Sequence, residues 1–203
     1  VHYNGLGNDQ DFPHSLAVDA DGNVYVTGMS WGSGTHYDYA TIKYDADGVE
    51  QWAARYDGSG SQNDFAMGMA VNADGDVYVT GQSYGSGTNF DYATIKYDAY
   101  GVEQWISRYN GPGNSLDAAN ALALDSEGNL YVTGDSYDTV THYDFATIKY
   151  DANGIEQWTT HYNGPGSYID IPHAMAVDAS SNVYVTGRSW GSGTNFDYAT
   201  IKY

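Results

Sequence analysis

The sequence predicts an all-β chain of tandem units, and three observations carry that prediction. The first is a period. The tetrapeptide YVTG begins at Tyr25, Tyr78, Tyr131 and Tyr184, a constant step of 53 residues with no insertion or deletion. The second is composition: short segments rich in β-branched and aromatic residues alternate with breaks built of Gly, Asp and Asn. The third is that no window shows a 3.6-residue apolar period or a helix cap. A four-stranded unit of about 50 residues repeated in tandem is the pattern of a β-propeller blade. The chain therefore reads as one repeat domain, residues 1–203, with units 1–53, 54–106, 107–159 and 160–203.

In the first unit strand A is SLAV from Ser15, strand B is NVYVTG from Asn23, strand C is YATIKY from Tyr39 and strand D is VEQWAARY from Val49. The segment DADG joins A to B and again C to D, and its glycine supplies the positive φ of a tight hairpin. Strand C alternates, with Tyr39, Thr41 and Lys43 on one face and Ala40, Ile42 and Tyr44 on the other. With DADG as the whole C–D loop, Tyr44 pairs with Val49 and Lys43 faces Glu50. Lys96–Glu103 and Lys149–Glu156 would repeat that cross-strand ion pair, each contributing about 0.2–1 kcal/mol. The fourth unit ends with DYATIKY and has no counterpart of DADGVEQWA, residues 45–53.

The run AVDADGNVYVTGMSWGSGTHYDYATIKYDADGVEQWAARYDG resembles the bacterial β-propeller repeats called SBBP, which are related to NHL repeats. The resemblance rests on D-x-x-G-N-V-Y-V-T-G followed by D-Y-A-T-I-K-Y-D-x-x-G and extends over all four copies. It implies a propeller fold, an exported bacterial protein at the cell surface or outside the cell, no defined reaction and no catalytic residues. It also implies more blades than four. HYNG at His2 aligns with RYDG at Arg55, so the first residues match the tail of a strand D. The segment carrying Tyr198, Thr200 and Lys202, together with Val1 and Tyr3, is then an assembly edge open to another chain. Three outcomes are expected: a piece of a longer array, a four-bladed ring with a short outer strand, or pairing with a second copy. A head-to-tail contact that does not close would give a filament.

Composition narrows the partners. With 26 acidic and 7 basic residues the net charge is −19, which disfavours nucleic acid and anionic membrane surfaces. It favours cations, neutral polar ligands such as glycans, and solubility. The absence of cysteine excludes disulfides and thiolate metal sites. No apolar run reaches the length that spans a bilayer, so membrane insertion is not expected. No signal peptide is visible, so the signal of an exported protein would have been removed or would lie outside these residues.

Strand order sends the B–C loops and the D-to-A links to one end of the molecule. There Trp31, Tyr84, Tyr137 and Trp190 occupy equivalent positions, with Asn89 and Asn195 nearby. Such a plate suits a sugar ring, stacked on its apolar face and hydrogen-bonded at its hydroxyls. The bland alternative is packing between blades, in which case all four rings should be mostly buried. Two aspartate sets fall at the same end: Asp11, Asp64, Asp117 and Asp170, and Asp38, Asp91, Asp144 and Asp197. They could offer calcium its 6–8 oxygen ligands, and calcium is the one cofactor the sequence suggests. Their other reading is loop shaping through backbone N–H groups.

DADGN from Asp19 places its glycine at the fourth position, not the sixth of an EF-hand loop, and reads as a turn. DADGVEQW is similar to the Asp-box of sialidase propellers, but its Gly48–Trp52 spacing is one residue too long. His14 and His173 match across units, yet Met67 and Asn120 replace them in the other two, which weakens a shared metal site. No nucleophile–base motif stands out, and acids repeated in every unit look architectural, since catalysis needs carboxylates with unlike pKa values. The expectation is a non-enzymatic module that binds glycans or proteins. The alternative is a building block that self-assembles through its fourth unit.

Overall fold

A computed structural model describes all residues, Val1–Tyr203. It contains fifteen strands in four antiparallel sheets. The first sheet is β1 (Asp11–Val18), β2 (Val24–Gly32), β3 (His36–Tyr44) and β4 (Glu50–Tyr56). The second is β5 (Asp64–Val71), β6 (Val77–Tyr84), β7 (Phe90–Tyr97) and β8 (Glu103–Tyr109). The third is β9 (Asp117–Leu124), β10 (Leu130–Asp138), β11 (His142–Tyr150) and β12 (Glu156–Tyr162). The fourth has three strands, β13 (Asp170–Val177), β14 (Val183–Trp190) and β15 (Phe196–Lys202). Within each sheet the strands lie in chain order. Successive sheets meet through their inner strands, β1 with β5, β5 with β9 and β9 with β13. The first and fourth sheets share no ladder, so the molecule is an open β-propeller.

The two middle strands of the second and third blades are buried along most of their length because both of their faces are covered. Tyr25 and Tyr39 leave one face of the first blade and pack against Ala66, Val77, Val79, Ala93 and Ile95 of the second. The next two junctions repeat this, with Tyr78 and Tyr92 against Leu130, Val132 and Ile148, then Tyr131 and Phe145 against Val183 and Val185. The core therefore lies between blades. The outer strands add a tie: the Trp52 indole N–H donates to the Ala99 carbonyl of the next blade (3.1 Å), and Trp105 donates to Ala152 (3.2 Å). Inside each blade a threonine pair bridges the middle strands, as in Thr80–Thr94 at 2.8 Å and Thr133–Thr147 at 3.0 Å. A buried hydroxyl pair of this kind satisfies both partners.

The DADG segments are turns. Asp19 Oδ1 accepts the backbone N–H of Asp21 and Asn23, and Asp45 Oδ1 accepts those of Asp47 and Val49. Their glycines, such as Gly48, sit at φ near +80°, where a side chain is strained. In the fourth unit Ser181 replaces that glycine and still takes a φ of 59°.

The Lys–Glu register does not hold. Tyr44 pairs with Glu50 and Lys43 with Trp52, because Gln51 is an extra, bulged residue in β4. The same bulge recurs in β8 and β12. Lys43, Lys96 and Lys149 therefore lie over the rings of Tyr25, Tyr78 and Tyr131, at 5.1, 5.3 and 5.3 Å from their centroids. Lys96 additionally pairs with Asp76 at 2.8 Å. The strands are also longer than expected: β1 begins at Asp11 rather than Ser15, and β2 and β3 run on through most of the B–C loop.

Candidate functional site

At one end of the molecule, aspartates lock the links between blades onto the B–C corners. Asp64 accepts the Gly58 N–H (2.7 Å) on one carboxylate oxygen and the Tyr84 N–H (3.0 Å) on the other. Asp117 does the same with Gly111 (2.7 Å) and Tyr137 (3.0 Å), and Asp170 with Gly164 (2.6 Å) and Trp190 (3.0 Å). Asp11 keeps only the Gly5 bond, since the Trp31 N–H goes to the Gln10 carbonyl. The link glycine is obligatory at these corners: a Cβ on Gly111 would stand 2.6 Å from Asp117 Oδ1. Burial pushes the Asp64 and Asp117 carboxyls above the usual range, against the backbone N–H bonds that hold them down.

The Asp64, Asp117 and Asp170 bonds hold the backbone of Tyr84, Tyr137 and Trp190, and the Gln10 carbonyl holds that of Trp31. Trp31, Tyr84, Tyr137 and Trp190 sit on strand extensions, not in loops, each paired across the hairpin with another ring. The pairs are edge-on: Trp31–Tyr37 (centroids 4.9 Å), Tyr84–Phe90 (5.5 Å), Tyr137–Tyr143 (5.3 Å) and Trp190–Phe196 (5.0 Å). Phe65 connects Tyr37 to Phe90, and His142 and Tyr168 lead from Tyr137 to Trp190. The result is an aromatic rim in two stretches. The break falls at the third blade, where Ala118 stands at the position of Phe12 and Phe65. All four of the expected rings are half-buried, while Asn89 and Asn195 are exposed in the tight turns beside them. Sequence reasoning missed Tyr37, Phe90, Tyr143 and Phe196. Their signal was an aromatic two residues before the YATIKY-type segment in every unit.

The second aspartate set lies one layer in. Asp38 Oδ2 accepts from Arg55 (2.8 Å) and Thr35 (2.8 Å), and Asp91 Oδ2 accepts from Arg108 (2.9 Å) and Thr88 (2.7 Å). Arg108 also donates to the Ser83 hydroxyl and carbonyl and to the Tyr56 hydroxyl. In the third unit His161 replaces the arginine and contacts Tyr109 at 2.6 Å instead. Asp144 then keeps only Thr141 (2.6 Å), and burial pushes its carboxyl up. Asp197 accepts from Thr194 (2.7 Å) and is exposed. These arginines were not picked out from the sequence. As for a metal, one oxygen each from Asp38, Asp57 and Asp64 lies within 4.8 Å of the others. Arg55 already supplies a cation to Asp38 there, and both Asp64 oxygens accept backbone N–H groups.

His14 and His173 are bulged, exposed residues of β1 and β13, in separate blades. Of the edge residues, Tyr198, Thr200 and Lys202 are exposed on β15, Val1 is exposed and Tyr3 is half-buried.

An all-β chain of repeated four-stranded blades with a structural aspartate at each corner defines a β-propeller repeat protein. The beta-propeller repeat family SBBP matches residues 1–34, 104–139 and 157–197, more than half of the chain, and the chain belongs to that family. An uncharacterized WD repeat-containing protein of Acanthamoeba polyphaga mimivirus is 26% identical over 125 residues, half of this chain and 9% of that protein. The regulatory protein FlaEY of Caulobacter vibrioides is 34% identical over 113 residues, 49% of this chain and 11% of that protein. The chain thus matches about a tenth of the length of each relative. Among solved structures, a protein of unknown function from Dyadobacter fermentans superposes with a TM-score of 0.57 at 10% identity, covering 93% of this chain and 59% of that one. A putative gluconolactonase superposes at 0.50 and 14% identity, covering 98% and 61%. Both share the fold.

Proposed function

We propose that this chain is a non-enzymatic interaction module that holds a protein surface against its aromatic rim. Glycans are the second ligand class that the rim fits. The observation that carries this reading is the two stretches of half-exposed, edge-stacked rings between Trp31 and Phe196, held at the second, third and fourth blades by Asp64, Asp117 and Asp170. Rigid aromatics of this kind bring large contact area at small entropic cost, and such residues dominate binding hot spots. The WD repeat-containing and regulatory relatives support an interaction role. A non-catalytic reading is supported by the acids themselves, since Asp64, Asp117 and Asp170 are occupied by backbone N–H groups. A location outside the cell or on its surface goes with the family resemblance.

The test is a panel of bacterial surface polysaccharides and surface proteins, read by biolayer interferometry. Trp31→Ala with Trp190→Ala should abolish a signal that Tyr100→Ser, at the opposite end, leaves intact. A ligand bound equally by both variants, or no ligand in either panel, would sink the proposal.

A further inference from the structure

Each pair of neighbouring blades is joined by one face-to-face junction, repeated three times with the same residue types. One side presents a pair of rings, Tyr25 and Tyr39 or Tyr78 and Tyr92. The other presents small and branched residues, such as Val77, Val79, Ala93 and Ile95. The junction is sealed: Tyr39 is 1% exposed and Tyr92 is 0%. Their hydroxyls donate to the carbonyls of Ala93 (3.3 Å) and Ala146 (3.5 Å) in the next blade. Each ring tip lies over a glycine, since a Cβ on Gly81 would stand 2.8 Å from Tyr39 Oη and one on Gly134 2.7 Å from Tyr92 Oη.

Both sides of that junction also occur without a partner blade. On the fourth sheet Tyr184 is 36% exposed and Tyr198, the counterpart of Tyr39, is 98% exposed. On the first sheet Val24, Val26, Gly28, Ala40 and Ile42 border a cavity of about 500 Å³. Tyr3 packs beside Ala40 and Ile42 as Tyr56 packs beside Ala93 and Ile95. The receiving half is thus formed already, down to the tyrosine that would stand next to an incoming ring.

We propose that the fourth blade of one copy docks on the first blade of a second copy and repeats the internal junction. Tyr198 enters the cavity over Gly28 of the second copy, and its hydroxyl reaches that copy's Ala40 carbonyl. The ring meets Tyr3 of the second copy as Tyr39 meets Tyr56, at a centroid spacing of 5.4 Å in the internal example. Arg188 adds a polar contact. In the third blade its counterpart Asp135 accepts from Asn120, which also donates to the Pro172 carbonyl at 3.1 Å. Arg188 is itself a donor, so it can reach the Pro13 carbonyl of the second copy directly. The contact is heterologous, so it propagates head to tail and either closes a ring or runs on. A chain of net charge −19 repels its copies, so added salt strengthens the association by screening.

This inference uses the blade faces and not the aromatic rim, so it stands or falls separately from the ligand reading. The experiment is light scattering after size-exclusion chromatography, from micromolar to near-millimolar chain. The wild type should rise above 22.0 kDa with concentration and more so at high salt. Tyr198→Ser, at an exposed position, should hold the mass at 22.0 kDa, and so should Val26→Arg on the receiving face. Mixed one to one, the two variants should give a species of twice 22.0 kDa, because each retains the half that the other lacks. Tyr3→Ser serves on the receiving face if Val26→Arg does not fold. A wild type that stays monomeric throughout, an oligomer that survives Tyr198→Ser, or a mixture that does not associate would overturn the proposal.

Discussion

Replacing Asp117 tests whether the corner aspartates are structural. In the wild type one carboxylate oxygen accepts the Gly111 N–H at 2.7 Å and the other the Tyr137 N–H at 3.0 Å, at a side chain with no exposure. Asp117→Ala strands two buried N–H groups, and each costs about 1–3 kcal/mol when left unsatisfied. The expected loss is therefore about 2–6 kcal/mol, a large part of the ~5–15 kcal/mol that holds a domain together. Asp117→Asn keeps one acceptor oxygen and turns an NH₂ toward the other N–H. It also removes a buried charge, which burial already disfavours. Its cost should fall in the lower half of that range. Urea unfolding at pH 7, followed by tryptophan fluorescence and repeated with chelator, measures both. An alanine variant within about 0.5 kcal/mol of wild type, the scale of a neutral surface change, would refute the reasoning. So would a loss that chelator alone reproduces in the wild type, because calcium and not the backbone would then be the partner.

Other expectations follow from the same geometry. Arg108→Met leaves Asp91 buried without its cation; with Arg108 a quarter exposed, the cost should be about 2–4 kcal/mol, by thermal or urea melts. Chelator should leave the wild-type melting midpoint unchanged, since Arg55 pairs with Asp38 and backbone N–H groups occupy Asp64. The pH dependence has two limbs. Burial raises Asp64, Asp117, Asp135 and Asp144, so their ionised forms oppose folding, and stability should grow as pH falls from 7 toward the ordinary carboxylate value near ~4. Asp178 is held at about 2 by Asn182, while at Asp19 and Asp125 hydrogen bonds outweigh the upward pull of burial. Their contribution is present above the ordinary value and is lost below it. Melts across pH should therefore peak on the acid side of neutrality, and a steady decline from pH 7 downward would contradict the assignment.

The 53-residue beat, the all-β class and the four-strand unit were legible in the sequence, because period-2 patterning and turn residues are local properties. The DADG turns were legible for the same reason: Asp45 and Gly48 act on backbone groups only a few residues away. Register was not. A single bulged residue, Gln51, slips β4 against β3 and sends Lys43 to the Tyr25 ring instead of Glu50, and nothing in the local pattern marks it. The aromatic set was half legible. Trp31 and its equivalents stood out by position; their partners, from Tyr37 to Phe196, repeat as regularly, but their pairing showed only when the hairpins brought the rings within about 5 Å. Whether a repeated acid faces a metal, a guanidinium or a backbone N–H depends partly on groups 17 to 20 residues away, as Arg55 beside Asp38 and the Tyr84 N–H beside Asp64 illustrate. Tyr39 and Tyr198 make the last distinction. They fall at the same repeat position within nearly the same words, yet one is sealed and the other bare. Sequence determines the ring and its hydroxyl, while only the arrangement of neighbouring blades decides whether that ring meets protein or water.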